Sequence, residues 1–241
     1  MQNKLLDTLM VEVMNLFSDK FNQQAILKGG MVLKLLGSLR STNDLDYVFI
    51  PYTSKKDVSK KILDVLSEMP EVELSHSMNS KCLRIIVKRE TVSLQIEINV
   101  SPTCLTEVAG NTEMAHAVNL PPRLITIMDT RVSMAHKMAA WNERRLLRDI
   151  HDVYFFIKLG TKPDMEILKK RLQKPNYSEK IPEDEKLLPG ANPDDLLNAL
   201  QNTVSSLSDK ILHSELSDYL EPLSLAGLHL KLKNVILNFS Y

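Results

Sequence analysis

Two aspartates, Asp44 and Asp46, stand two residues apart in a segment whose later residues are β-branched and aromatic. Such a segment, entered from a polar loop, predicts a β-strand, and alternate side chains of a strand share one face. The two carboxylates therefore point the same way, while the opposite face carries Leu45, Tyr47 and Phe49. Neighbouring carboxylates repel each other, so the pair is stable at a well solvated loop end or around a divalent cation.

A third carboxylate, Glu97, lies on the polar face of the alternating segment 94–100. If that strand lies beside residues 44–50, Glu97 completes a three-carboxylate cage. Such a cage can bind two divalent ions about 4 Å apart, one activating an attacking oxygen and one binding a triphosphate. A solvated glutamate on the face of a sheet is the alternative that the residues leave open.

The glycine pair Gly29-Gly30 stands between a short apolar run and a helix-like segment that starts at Met31. Glycines at this place let backbone N–H groups turn towards a ligand, and a helix N-terminus adds partial positive charge. Both features suit a phosphate, and Lys28 adds a formal charge. Taken alone, the pair favours a plain turn.

A basic stretch further along the chain carries Lys137, Arg144, Arg148 and Asp152, separated by seven, four and four residues. On an α-helix this spacing places all four on one face. The cations could hold phosphates while the carboxylate orients the lysine or a reacting hydroxyl. A structural salt-bridge face is the alternative.

The elements that must position these residues change in character along the chain. Residues 1–121 predict helices and strands that together favour an α/β or α+β domain with a mixed sheet. The helices cover 2–18, 31–36 and 55–69, and the strands 44–50, 72–74, 82–88 and 92–100. Residues 122–241 predict a mostly helical part, with helices over 124–138, 141–158, 165–172, 193–206 and 228–238.

The composition is that of an ordinary soluble globular protein, with 44% hydrophobic and 25% charged residues in 241. Its 30 basic and 30 acidic residues cancel, so any nucleic-acid contact must come from a local patch. No apolar run approaches the roughly 20 residues that span a bilayer. The two cysteines stand alone and suit a reducing compartment, which predicts a cytoplasmic protein. No Walker-type or Gly-x-Ser-x-Gly sequence occurs, which argues against P-loop enzymes and serine hydrolases.

Taken together, these motifs resemble a known family. Lys28-Gly29-Gly30 followed by Asp44-Leu45-Asp46 is similar to the nucleotidyltransferase signature of the DNA polymerase β superfamily. Addition of Arg40-Ser41-Thr42 and of the stretch from Lys137 to Asp152 makes the pattern resemble the AbiEii/AbiGii toxins of bacterial abortive-infection and toxin–antitoxin systems. The resemblance covers roughly residues 25–155.

The resemblance implies an α+β nucleotidyltransferase fold, with a mixed sheet flanked by helices in residues 1–121. The mostly helical residues 122–241 would complete the active-site cleft. It implies Mg²⁺ (or Mn²⁺), a nucleoside triphosphate such as GTP or CTP, tRNA as acceptor, a cognate antitoxin and no membrane. The implied catalytic residues are Asp44, Asp46, Lys137 and Asp152, and the metal ligands Asp44, Asp46 and, from strand alternation, Glu97. The implied nucleotide-binding residues are Lys28, Gly29, Gly30, Arg40, Ser41, Thr42, Arg144 and Arg148.

The expected activity is therefore magnesium-dependent transfer of a nucleoside monophosphate to an acceptor hydroxyl, with the 3′ end of tRNA as acceptor. Two alternatives stay open. One is a nucleotidyltransferase that modifies a small molecule such as an antibiotic. The other is an inactive nucleotide-binding regulatory protein, against which the intact Asp44, Asp46, Lys137 and Asp152 weigh.

Overall fold

The computed structural model describes residues 2–241, which form two compact units, one ending at Asp129 and the other comprising Thr130–Tyr241. The first unit contains a seven-stranded sheet and four helices. Its helices are α1 (Gln2–Phe21), α2 (Gly30–Leu35), α3 (Lys56–Leu66) and α4 (Thr112–Ala117). Its strands are β1 (Ala25–Lys28), β2 (Asp44–Phe49), β3 (Glu73–Met78), β4 (Leu83–Arg89), β5 (Val92–Val100), β6 (Thr106–Gly110) and β7 (Leu124–Met128).

The sheet is mixed and has the strand order β3-β4-β5-β2-β1-β7-β6. Strand β2 lies at its centre, antiparallel to β1 and parallel to β5. The β3-β4-β5 meander is antiparallel, whereas β1 pairs with β7 in parallel. This order puts the carboxylates of β2 and β5 next to each other in the middle of the sheet.

An aromatic cluster fixes which face of β2 is buried. Tyr47 and Phe49 pack edge-on against Phe17 of α1, with ring centroids 5.0 and 5.7 Å apart. Phe21 contacts Phe49 in the same way at 5.0 Å. Such edge-to-face pairs add roughly 0.5–1.5 kcal/mol each to the burial of their apolar surface. Because one face of β2 is held in this cluster, its aspartates must lie on the other.

The second unit is helical, as the sequence predicts. Its helices are α5 (Thr130–Arg144), α6 (Leu147–Lys158), α7 (Met165–Gln173), α8 (Pro193–Ser206), α9 (Asp209–Leu216), α10 (Pro222–Leu225) and α11 (Leu228–Ile236). Helix α5 buries Met134, Met138 and Trp141 completely. Helix α8 begins with a capping box in which Asn192 and Asp195 bind each other's backbone N–H groups.

Several sequence predictions need correction. The helix predicted over 124–138 is wrong in its first part, because Leu124–Met128 is strand β7, paired with β1 and β6. Its apolar residues fit a short buried strand as well as a helix, and periodicity cannot separate the two. Elements β1, β6, α4, α9 and α10 were not predicted. Within residues 2–241 no helix is both long and apolar enough to cross a membrane. Both cysteines are free, as predicted.

Candidate active site

The two aspartates of β2 lie on one face, as the alternation predicts. Each carboxylate has a partner from a neighbouring segment of the first unit. Thr42 Oγ1 donates a hydrogen bond to Asp44 Oδ1 at 2.7 Å. Lys28 Nζ, on the antiparallel partner strand β1, lies 3.8 Å from Asp46 Oδ1. Both aspartates are part-exposed.

Glu97 lies on β5 directly beside Asp46, in the position predicted from strand alternation. Its carboxylate is engaged by Arg84 of β4, whose Nη2 donates to Glu97 Oε1 at 2.9 Å, and by Gln95 at 3.1 Å. In the part of the chain that the structure describes, no three acidic, histidine or cysteine side chains are grouped so that they could hold a metal ion. The metal role of Glu97 therefore stays a prediction.

The glycine pair forms a turn that allows a close approach to these side chains. Gly29 has φ +76° and ψ −150°, a region open to glycine alone, and a Cβ there would collide with the Asp46 carboxylate. A Cβ on Gly30 would lie 2.6 Å from Arg40 Nη2 and 3.0 Å from Thr42 Oγ1. Because neither glycine has a side chain, the backbone of the turn lies close to the Asp46 carboxylate and to the buried guanidinium of Arg40.

The loop 38–43 that leads into β2 supplies the remaining predicted residues of the first unit. Arg40 is buried, and its Nη1 donates to the carbonyl oxygen of Ser41 at 3.2 Å. Thr42 is also buried, whereas Ser41 is exposed. The predicted residues Lys28, Gly29, Gly30, Arg40, Thr42, Asp44, Asp46 and Glu97 are therefore gathered in one unit, and Ser41 lies at its surface.

The basic stretch is not one helix, which corrects the prediction that its four charged residues share one helical face. Helix α5 ends at Arg144, Arg145 takes a left-handed conformation with φ +55°, and α6 begins at Leu147. No glycine or proline marks this break, so the sequence carries no local stop signal. Lys137 and Arg144 consequently lie on α5, whereas Arg148 and Asp152 lie on α6.

Packing of α5 against α6 nevertheless builds a buried charge network in the second unit. Lys137 Nζ lies 2.6 Å from Asp152 Oδ2, and both aspartates of α6, Asp149 and Asp152, are fully buried. Arg144 donates from Nε and Nη2 to the two oxygens of Asp149, at 2.6 Å each, and these bonds raise the pKa of its guanidinium. Lys137 Nζ is 3.8 Å from Asp149 Oδ1.

Sequence reasoning gave no role to Asp149, although it bridges the two cations of α5. The chain offered one signal, since Asp149 follows Arg148 directly and stands one helical turn before Asp152. Arg148 does not join the network in the described residues. Its Nη1 donates to the hydroxyl of Tyr219 at 3.1 Å, and its guanidinium lies 5.6 Å from the centre of that ring.

The donor set of the first unit suits a hard divalent cation. Asp44 and Asp46 offer carboxylate oxygens on one face, which Mg²⁺ and Mn²⁺ prefer, and neither sulfur nor imidazole takes part. The adjacent glycine turn and Arg40 supply backbone and guanidinium donors of the kind that bind phosphate. These are the donor types that a metal-bound polyphosphate would need.

Comparisons with known proteins agree with this chemistry. The sequence profile of the family described as "Nucleotidyl transferase AbiEii toxin, Type IV TA system" matches residues 15–226. No curated protein sequence matches the chain significantly.

Two solved structures share the fold across almost the whole chain. One is MenT4, a nucleotidyltransferase toxin from Mycobacterium tuberculosis H37Rv, with TM-score 0.62 and 13% identity over 98% of this chain and 84% of that one. The other is JHP933 from Helicobacter pylori, with TM-score 0.57 and 17% identity over 98% of this chain and 91% of that one. The predicted nucleotidyltransferase fold is thereby confirmed. Since the profile spans most of the chain, the protein belongs to the AbiEii nucleotidyl transferase toxin family and is a nucleotidyltransferase.

Proposed function

We propose that the protein transfers a nucleoside monophosphate from a triphosphate to a hydroxyl group at the 3′ end of tRNA. One observation carries the proposal. Asp44 and Asp46 lie on one face of β2, against a turn in which only a glycine at position 29 leaves room for the Asp46 carboxylate. A polyphosphate with its counter-ion needs both acidic oxygens and uncovered backbone donors at close range.

In the proposed reaction the acceptor oxygen attacks the α-phosphorus in line, and the bond to the β-phosphate breaks to release pyrophosphate. Mg²⁺ or Mn²⁺ bound to Asp44 and Asp46 would neutralise the phosphates and favour ionisation of the attacking hydroxyl. The backbone at Gly29-Gly30, together with Arg40, would hold the phosphate oxygens. Catalysis of this kind rests on positioning and on charge stabilisation.

The charge network around Asp149 and Asp152 in the second unit holds the ammonium group of Lys137 in one orientation. Lys137 is mostly buried and is fixed by the 2.6 Å ion pair with Asp152. We propose that Lys137 contacts phosphate and that Asp152 orients it, with Arg144 and Arg148 as further phosphate contacts. A lysine held by a buried carboxylate loses little side-chain entropy when it binds a ligand.

The family comprises toxins of type IV toxin–antitoxin systems, so we propose that a cognate antitoxin opposes the activity. GTP and CTP are the triphosphates that we expect the site to use. The zero net charge of the chain means that tRNA binding would depend on local basic groups and would weaken steeply with salt.

The proposal is tested by incubating the protein with each of four labelled nucleoside triphosphates, Mg²⁺ and total tRNA. We expect one triphosphate to label the tRNA band, and chelation of Mg²⁺ to abolish the labelling. Asp46→Asn should abolish it as well, because the substitution keeps the shape of the side chain but removes its charge. The matched control is Asp64→Asn, which changes an exposed aspartate of α3 in the same unit.

Full labelling by the Asp46→Asn variant would contradict the proposed site. Label that appears only on added small hydroxyl compounds would identify a small-molecule nucleotidyltransferase instead. Binding of a triphosphate by calorimetry in the presence of Mg²⁺, without transfer to any acceptor, would support an inactive nucleotide-binding regulatory protein.

A further inference from the structure

A row of four charged side chains crosses the centre of the sheet, with one residue from each of four adjacent strands. The register pairs Arg84 of β4 with Glu97 of β5, Glu97 with Asp46 of β2, and Asp46 with Lys28 of β1. Two acidic residues are thus flanked by two basic ones. Arg84, which belongs to none of the family motifs noted above, is the outermost member on the β4 side.

The two flanking cations engage their carboxylates differently. Lys28 Nζ is 3.8 Å from Asp46, beyond hydrogen-bond distance. Arg84 instead donates to a single oxygen, Glu97 Oε1, from both Nη2 at 2.9 Å and Nε at 3.3 Å. Gln95 Nε2 donates to the same oxygen at 3.1 Å. Three donors therefore converge on one of the two Glu97 oxygens and tie the carboxylate to β4 and to Gln95.

Within the described residues, Asp44, Asp46 and Glu97 do not form a three-carboxylate group able to hold a metal. Glu97 stands next to Asp46 in the register, yet its carboxylate is held by the strand on the opposite side. A cation that binds Glu97 would compete with Arg84 for the negative charge of this carboxylate. The Arg84 side chain is 47% exposed, and exposed ion pairs are weak enough to be exchanged for another cation.

We propose that Arg84 is a positioning residue that competes with the divalent cation for Glu97, holding the third carboxylate aside until a metal binds. The inference rests on the proposed metal-dependent function and adds a regulatory contact to the same site. A guanidinium on Glu97 keeps the row electrically neutral before metal binding, which limits repulsion between Glu97 and Asp46.

The test is a titration with Mn²⁺ followed by electron paramagnetic resonance, without nucleotide. We expect Arg84→Gln to tighten Mn²⁺ binding by about two- to five-fold, the strength of an exposed ion pair expressed as an equilibrium ratio. The matched control is Lys88→Gln, which removes a positive charge from the same face of the same strand, where Lys88 is paired with Glu73. Lys88→Gln should leave Mn²⁺ affinity unchanged.

A double-mutant cycle separates direct competition from a general effect of charge. In a Glu97→Gln background, Arg84→Gln should no longer tighten Mn²⁺ binding, because the contested carboxylate is gone. An equal effect in both backgrounds, or no effect in either, overturns the inference.

Wild-type transfer of labelled nucleotide, measured on the same preparation, distinguishes the two possible failures. If the wild type transfers nucleotide but the double-mutant cycle shows no coupling between Arg84 and Glu97, the inference is wrong and the proposed function stands. Absence of both transfer and Mn²⁺ binding in wild-type protein overturns the proposed function and the inference with it.

Discussion

Replacement of Gly29 by alanine should lower both the stability of the protein and its transfer activity. The two losses have different causes, the unusual backbone conformation and the contact with Asp46. The native φ of +76° and ψ of −150° lie in a region that other residues enter only at about 1–3 kcal/mol. In addition, the new Cβ would collide with the Asp46 carboxylate and lie 3.0 Å from its Cγ and 3.1 Å from its Cβ. Relief of these contacts requires Asp46 to move.

The expected loss of activity follows from that movement. Displacement of a catalytic group by about 1 Å can lower a rate on the order of 100-fold. The matched control is Gly37→Ala, because Gly37 also has a positive φ, of +94°, but a Cβ there would meet nothing within 4 Å. Both variants should unfold a few degrees earlier, since about 1 kcal/mol shifts the melting temperature of a chain of this size by about 2–4 °C.

Thermal unfolding monitored by circular dichroism and transfer of labelled nucleotide to tRNA provide the two measurements. Gly37→Ala should lose stability alone, whereas Gly29→Ala should lose both stability and roughly two orders of magnitude in transfer rate. Equal transfer rates for the two variants would refute the reasoning, because the contact between the new Cβ and Asp46 would then have no effect on catalysis.

Two further predictions concern buried polar groups. The hydroxyl of Tyr47 is buried without a hydrogen-bond partner in residues 2–241, and burial raises the pKa of this phenol, so Tyr47→Phe should stabilise the protein by about 1–2 kcal/mol. The pKa of Tyr47 is higher in the folded protein than in the unfolded chain, where it is about 10. The free energy of unfolding of the wild type should therefore fall as the pH rises above about 10. Urea titrations should show a smaller fall for Tyr47→Phe. Asp149→Asn removes the charge that accepts two hydrogen bonds from the part-exposed Arg144, so urea unfolding should show destabilisation by about 1–3 kcal/mol, and unchanged stability would argue against the bridge.

Local sequence patterns predicted correctly which side chains of a strand share one face. The alternation in β2 places Asp44 and Asp46 together and Tyr47 in the core, because the side-chain period of a strand depends on its backbone alone. Helical periodicity likewise indicated α1, α3 and α8. Apart from Glu97, the predicted residues of the first unit all come from one short stretch of chain, from Lys28 to Asp46.

Contacts between distant segments could not be read from those patterns. Glu97 lies beside Asp46, yet Arg84 engages its carboxylate, because the partners of a strand depend on the sheet order. Strand β7 was predicted as a helix, because a short apolar run can form either element. Its pairing with β1 shows that it forms a strand.

The sequence by itself thus determined the chemistry that the protein carries: paired carboxylates, a glycine turn and a basic stretch, all set by residue type and local period. The tertiary structure decided how these groups are partnered. It turned Glu97 towards Arg84, broke the basic stretch at Arg145 and buried Asp149 between two cations. The physical reason is that ion pairs and strand neighbours depend on distances of a few ångströms between residues far apart in the chain, and only packing sets those distances.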